Sequence, residues 1–251
     1  EGHDYTGVGG ASVSPDNNLL AYGVDHVSRR QYTILVKDLN TGVLLSDTIV
    51  NTSGQSVWTD DNETLFYVKK DPETLREAVV MKHKLGTPAS EDQVVFDETD
   101  ETFAVWLGKT KSKKYIMIMS SQTLTTEVRL IEAANPDGDV MIFAPRMVGH
   151  EYSLDHLNGI FYIRTNANGA KNFKLMSCPE EKTGMAAWKE VIPHRDDVLF
   201  ENFEIFDSYL VADERIKGLT NLRIINLGDG TEHFLDFGEE TYTAGINVNP
   251  N

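Results

Sequence analysis

The side chains able to do chemistry are scattered, and none falls into a complete catalytic pattern. A hydrolase nucleophile on a strand–turn–helix elbow is written Gly-x-Ser-x-Gly, because small flanking residues let the strained turn form. The 251 residues contain no such pentapeptide; Gly10-Ala-Ser-Val-Ser14 is the nearest, and it runs into Pro15 inside an expected strand. Among seven histidines, His150 and His156 flank carboxylates in His150-Glu-Tyr-Ser-Leu-Asp-His156. On an extended strand they would stand about 20 Å apart, and they lack the i, i+4 spacing of a zinc helix. Polar groups at the start of a sheet are the expected role, and no metal is expected. Cys178 is the only cysteine, so the chain has no internal disulfide and no Cys-rich zinc site. Paired acids such as Asp60-Asp61, Asp97-Glu98, Asp196-Asp197 and Glu239-Glu240 are the raw material of glycoside hydrolysis. Most fall in turns, where a solvated surface is the simpler role. Arg29-Arg30 stands out, since a guanidinium offers a planar five-donor fork to a carboxylate across an interface.

The elements that must position these groups repeat. Alternating apolar segments start near Ala11, Ser56, Phe103, Tyr152 and Phe200, in steps of 45 to 49 residues, and a sixth starts at Tyr242. Each unit reads as four short strands. In the first they cover about 11–15, 19–25, 32–38 and 43–49; in the second, about 56–60, 64–70, 78–85 and 92–97. Asp and Asn in Pro15-Asp-Asn-Asn18 and Asp60-Asp-Asn-Glu63 suit tight turns. Pro72–Arg76 and Pro179–Thr183 have the composition of single helical turns within loops. Runs such as Leu65-Phe-Tyr-Val68 and Ile160-Phe-Tyr-Ile163 are apolar on both faces, as strands covered on two sides must be.

Four-stranded antiparallel units at this period predict an all-β β-propeller: about five four-stranded blades plus a stub, an open portion of a seven-bladed ring. The blades are expected at 10–50, 55–98, 103–146, 151–194 and 199–238, with the stub at 241–251, all in one partial domain spanning 1–251. A two-sheet sandwich would not readily give five units so evenly spaced. Open outer faces would favour self-association.

Lys and Arg number 23 against 39 Asp and Glu, a net charge of −16. That argues against nucleic acid, which needs a basic face. No stretch has the length and apolarity of a membrane-spanning helix, so no membrane partner is expected.

Several segments resemble the oligopeptidase B branch of the prolyl oligopeptidase family of serine peptidases. They include Ser28-Arg-Arg-Gln-Tyr32, Lys37-Asp-Leu-Asn-Thr-Gly42, Leu85-Gly-Thr-Pro-Ala-Ser90, Thr126-Glu-Val-Arg-Leu130, His150–His156 and Arg215-Ile-Lys-Gly-Leu-Thr220. They lie in family order along nearly the whole chain. The resemblance implies a seven-bladed propeller that covers an α/β-hydrolase domain and admits only short peptides, cut after Arg or Lys. It implies that the catalytic Ser, Asp and His lie in that domain, so this chain alone would be inactive and would hold no catalytic residue and no cofactor. It makes the parent's own catalytic domain the partner, with short basic peptides as substrates drawn in by the negative charge. It also implies a cytoplasmic or periplasmic setting, the cytoplasm favoured. Arg29 and Arg30, and less strongly Arg215 in the equivalent loop of the fifth unit, become candidates for pairing with the catalytic domain in a closed state. Two other functions fit the fold: a free-standing protein-binding platform, and a propeller glycosidase.

Overall fold

A computed structural model describes residues 2–247; the end of the expected stub, 248–251, lies outside the described residues. The chain is all-β, and its strands are joined almost wholly as antiparallel neighbours in sequence order. It divides into two units. The first comprises Glu1–Lys109, Lys113–Thr123 and Glu127–Ile142; the second comprises Thr110–Ser112, Leu124–Thr126 and Phe143–Asn251.

In the first unit, β1 (Gly7–Val13), β2 (Leu19–Asp25), β3 (Tyr32–Asp38), β4 (Leu44–Trp58), β5 (Thr64–Lys70), β6 (Glu77–Lys84) and β7 (Gln93–Asp97) form one seven-stranded sheet. The sequence reads 43–49 and 56–60 as two strands, one for each repeat; the structure runs them together as β4. Its register breaks between Thr52 and Ser56, so its first part pairs with β3 and its last part with β5. Local chemistry makes the bend: Asn51 and Gly54 adopt φ of 57° and 86°, and Thr52 Oγ1 donates to the Tyr32 carbonyl while accepting from Gly54 N. A second sheet of this unit holds β8 (Ala104–Lys109), β9 (Tyr115–Gln122), β10 (Thr125–Glu132) and β11 (Met141–Ile142).

The two-sided burial read from the sequence is visible along β5. Leu65 and Tyr67 pack with Ala21, Ile34, Val36, Ile49 and Trp58. The intervening Phe66 and Val68 pack the other way, with Val105, Leu107, Ile116, Ile118 and Ile131 of the next sheet. Successive side chains point to opposite faces of a strand, so a buried strand with a neighbour on each side must be apolar at every position.

The second unit holds β12 (Tyr152–Leu157), β13 (Ile160–Thr165), β14 (Lys174–Pro179) and β15 (Lys189–Ile192) in one sheet. Its other sheet holds β16 (Val198–Ile205), β17 (Tyr209–Ile216), β18 (Leu219–Asn226) and β19 (Glu232–Phe234). Leu175 and Ile192 of the former meet Phe200, Phe203, Ile205, Leu210 and Ala212 of the latter.

The Asp and Asn turns form as read. Asp16 and Asp61 each accept a short bond from a hydroxyl two residues earlier, Ser14 and Thr59, and collect backbone N–H groups beyond. The segment 72–76 is a turn rather than a helix. Asp71 caps the N–H groups of Glu73 and Thr74, and Leu75 at φ 61° stops any continuation. The helical turns that do form, at Ala89–Glu91, Ala167–Gly169 and Met185–Ala187, lie elsewhere.

Candidate interdomain surface

The Arg29-Arg30 pair stands on the β2–β3 loop, as the sequence reading places it. β2 ends at Asp25, only 1% exposed. Its Oδ1 accepts from Val27 N and Ser28 N at 2.8 and 3.1 Å, and its Oδ2 from Arg30 N at 2.7 Å. Burial pushes this carboxyl up, but the backbone N–H groups outweigh it and hold it below the usual range. Ser28 and Arg30 both take left-handed φ, 61° and 56°. From β5, the buried Lys70 donates to the Arg30 carbonyl at 3.1 Å and pairs with Glu77 at 3.3 Å. The backbone is therefore fixed from both sides while both arginine side chains project into solvent. Among the described residues no hydrogen bond or ion pair engages either guanidinium, so both forks are free to meet a carboxylate.

Arg215 differs. It lies within β17, one residue before its end, rather than in the hairpin loop. Its guanidinium grips Glu201 of β16 with bonds of 2.8 and 3.0 Å and donates to the Gly218 carbonyl at 3.2 Å. The bond to Glu201 raises its pKa. A role for Arg215 across an interface would require breaking that grip.

The remaining groups are tied into the fold. Ser12 lies in β1, and its carbonyl accepts the Trp58 indole N–H at 2.9 Å. His150 is buried against Tyr152 and bonds Thr165 Oγ1 through Nε2 at 2.9 Å; burial lowers its pKa. His156 bonds Ser112 Oγ at 2.8 Å through Nδ1, and its Nε2 lies 3.0 Å from a Glu180 carboxylate oxygen. Cys178 is 2% exposed in β14, and burial pushes its thiol up to about 11, far from a nucleophile's range. Asp60 pairs with Lys109, Glu98 accepts from Ser120 Oγ and Asp100 N, and Asp197 pairs with Arg195. Arg76 was not singled out by the sequence, yet it donates to the carbonyls of Glu98, Asp100 and Phe103, fastening the link from β7 to β8. Another group the sequence did not reveal is Asp47, His83 and Asp92, contiguous only in space.

Comparison with known proteins gives these residues a family. The family described as "Prolyl oligopeptidase, N-terminal beta-propeller domain" matches residues 1–250. The chain belongs to the prolyl oligopeptidase family. Within it, the chain is 46% identical over 249 residues to dipeptidyl aminopeptidase BI of Pseudoxanthomonas mexicana, covering 99% of this chain and 34% of that protein. It is 30% identical to protease 2 of Moraxella lacunata over 248 residues, covering 98% and 35%. Oligopeptidase B from Leishmania major superposes with a TM-score of 0.87 at 28% identity, covering 95% of this chain and 35% of that one. Oligopeptidase B from Trypanosoma brucei, solved in a closed form with covalently bound antipain, gives 0.82 at 27% identity, covering 95% and 34%. The chain thus spans about a third of the length of these prolyl oligopeptidase relatives. The β-propeller read from the repeat is the fold of the family's N-terminal domain.

Proposed function

We propose that this propeller gates and filters substrates for a serine-type oligopeptidase, whose cutting residues lie in a catalytic domain outside these 251 residues. The observation that carries this reading is the match of the family's propeller domain to residues 1–250, in a sequence with no Gly-x-Ser-x-Gly elbow. Substrates are short peptides cleaved after Arg or Lys. The net charge of −16 supports this preference, because a negative surface concentrates cationic peptides. A second reading, release of dipeptides from free amino ends, is favoured by the 46% identity to a dipeptidyl aminopeptidase.

The full-length parent separates the two when offered matched basic peptides with blocked and with free amino ends. Cleavage after Arg or Lys in the blocked peptides is the expected result. Exclusive release of dipeptides from free ends would overturn the endopeptidase reading in favour of the second.

Arg29 and Arg30 hold the closed state by pairing with carboxylates of the catalytic domain. Their fixed backbone and free guanidiniums support this role. The paired change Arg29→Ala, Arg30→Ala in the parent is expected to shift small-angle scattering toward an open form. It should also lower kcat/KM by about tenfold, the effect of losing roughly 1.4 kcal/mol. Unchanged kinetics with unchanged scattering would remove the arginines from the closing mechanism.

A further inference from the structure

We infer that His83 is an imidazolium clamped between two buried carboxylates, and that the proton it holds fastens the outer edge of the second four-strand repeat. His83 stands on β6 and is fully buried. Its Nδ1 lies 2.7 Å from Asp92 Oδ1 and its Nε2 3.1 Å from Asp47 Oδ1. The side chains of Asp47 and Asp92 are 3% and 1% exposed. Asp47 comes from β4, and Asp92 from the junction between the turn Ala89–Glu91 and β7.

The argument is a proton count. A neutral imidazole has one N–H and one bare nitrogen, whereas the imidazolium donates from both. An ionised carboxylate only accepts. A neutral ring between two ionised carboxylates would therefore press a lone pair against an oxygen, in a place where burial prevents water from compensating. The other bonds keep the carboxylates as acceptors. Asp92 Oδ2 takes the Tyr67 hydroxyl at 2.8 Å, and Asp47 Oδ1 also takes Gly86 N at 2.6 Å. Burial, followed by the bond to Asp92, raises the Tyr67 pKa, so the phenol stays a donor. The facing groups are thus Asp47 from β4, Asp92 from the β6–β7 connection and, behind Asp92, Tyr67 from β5. With every other partner donating to the acids, the group needs one proton more than a neutral ring supplies, and the imidazole, a stronger base than either carboxylate, is where that proton resides.

The clamp joins positions far apart in sequence and holds the connection from Lys84 to Asp92. Thr87, Glu91 and Asp92 of that connection line a cleft of about 350 Å³ together with Lys82 and Asp137. Loss of the proton would set a bare nitrogen against a carboxylate and loosen the hold on this connection. The fold therefore contains a proton-dependent clasp.

Nitrogen-15 NMR of the histidines in the intact chain at neutral pH tests the count. Both ring nitrogens of His83 are expected to carry protons; one bare nitrogen would overturn the inference. Hydrogen exchange at the Gly86 amide tests the clasp. His83→Gln should speed that exchange by about 100-fold relative to the unchanged protein, and an unchanged rate would count against it. Should the variant not fold, the unchanged protein still decides. As pH rises, protection of Gly86, corrected for intrinsic exchange, should fall together with the imidazolium signal. Protection that outlasts the proton would refute the clasp.

Discussion

Gly10→Ala should destabilise the first unit by about 2–5 kcal/mol, the sum of a left-handed backbone penalty and a backbone clash. Gly10 sits in β1 at φ 64°, where an L-residue is strained. A Cβ there would lie 1.8 Å from the Gly54 carbonyl oxygen and 2.4 Å from its carbon. The neighbour cannot easily retreat. Gly54 is itself left-handed, and it is packed so tightly on Tyr32 that a Cβ on it would stand 2.8 Å from the ring. Gly23 closes the other side, its own Cβ direction ending 2.7 Å from Gly54 Cα. Three glycines thus let β1, β2 and the bend of β4 meet backbone to backbone.

Gly159→Ala isolates the backbone penalty. Gly159 has φ 76° with nothing within 4 Å of its Cβ position, so the change should cost only about 1 kcal/mol. Denaturant unfolding measures both, with Trp58 reporting on the first unit and Trp188 on the second. A Gly10 variant no less stable than the Gly159 variant would show that the close approach is not binding.

Strand positions were legible in the sequence because two physical signals agree there. Alternation and two-sided apolarity place β5 at 64–70, where the structure has Thr64–Lys70, and β2 and β3 are read at their observed limits. The turns were legible because Asp16 and Asp61 act within a few residues of themselves. The continuity of β4 was not. Thr52 and Gly54 look like a loop until their bonds to Tyr32 and to each other are known, and those depend on a partner strand 20 residues away. The loop position of Arg29-Arg30 was legible from its place between two strands, but the grip of Glu201 on Arg215 was not. Residues 201 and 215 meet only through the bulged register of β16 on β17. The His83 clamp was invisible for the same reason, since its two acids lie 36 and 9 positions from the ring in opposite directions.

The second large effect is all-or-none. Residues 1–251 alone should hydrolyse neither blocked nor free basic peptides, and the full-length parent should hydrolyse at least one of them. Without a triad nucleophile, at most the small residual rate of a binding surface is left. The groups that might have substituted are committed. Cys178 is buried with its thiol pushed up to about 11, Thr165 is fully buried and Ser112 half-buried, and Ser12 lies in a strand with no elbow. The hydroxyls that His150 and His156 bond among the described residues, Thr165 and Ser112, are buried and half-buried rather than open to a substrate. The account turns on where the nucleophile is, and a serine-directed phosphonate probe reads that directly. It should label the full-length parent stoichiometrically and leave the isolated 251-residue chain unlabelled; covalent labelling of the isolated chain would contradict the account.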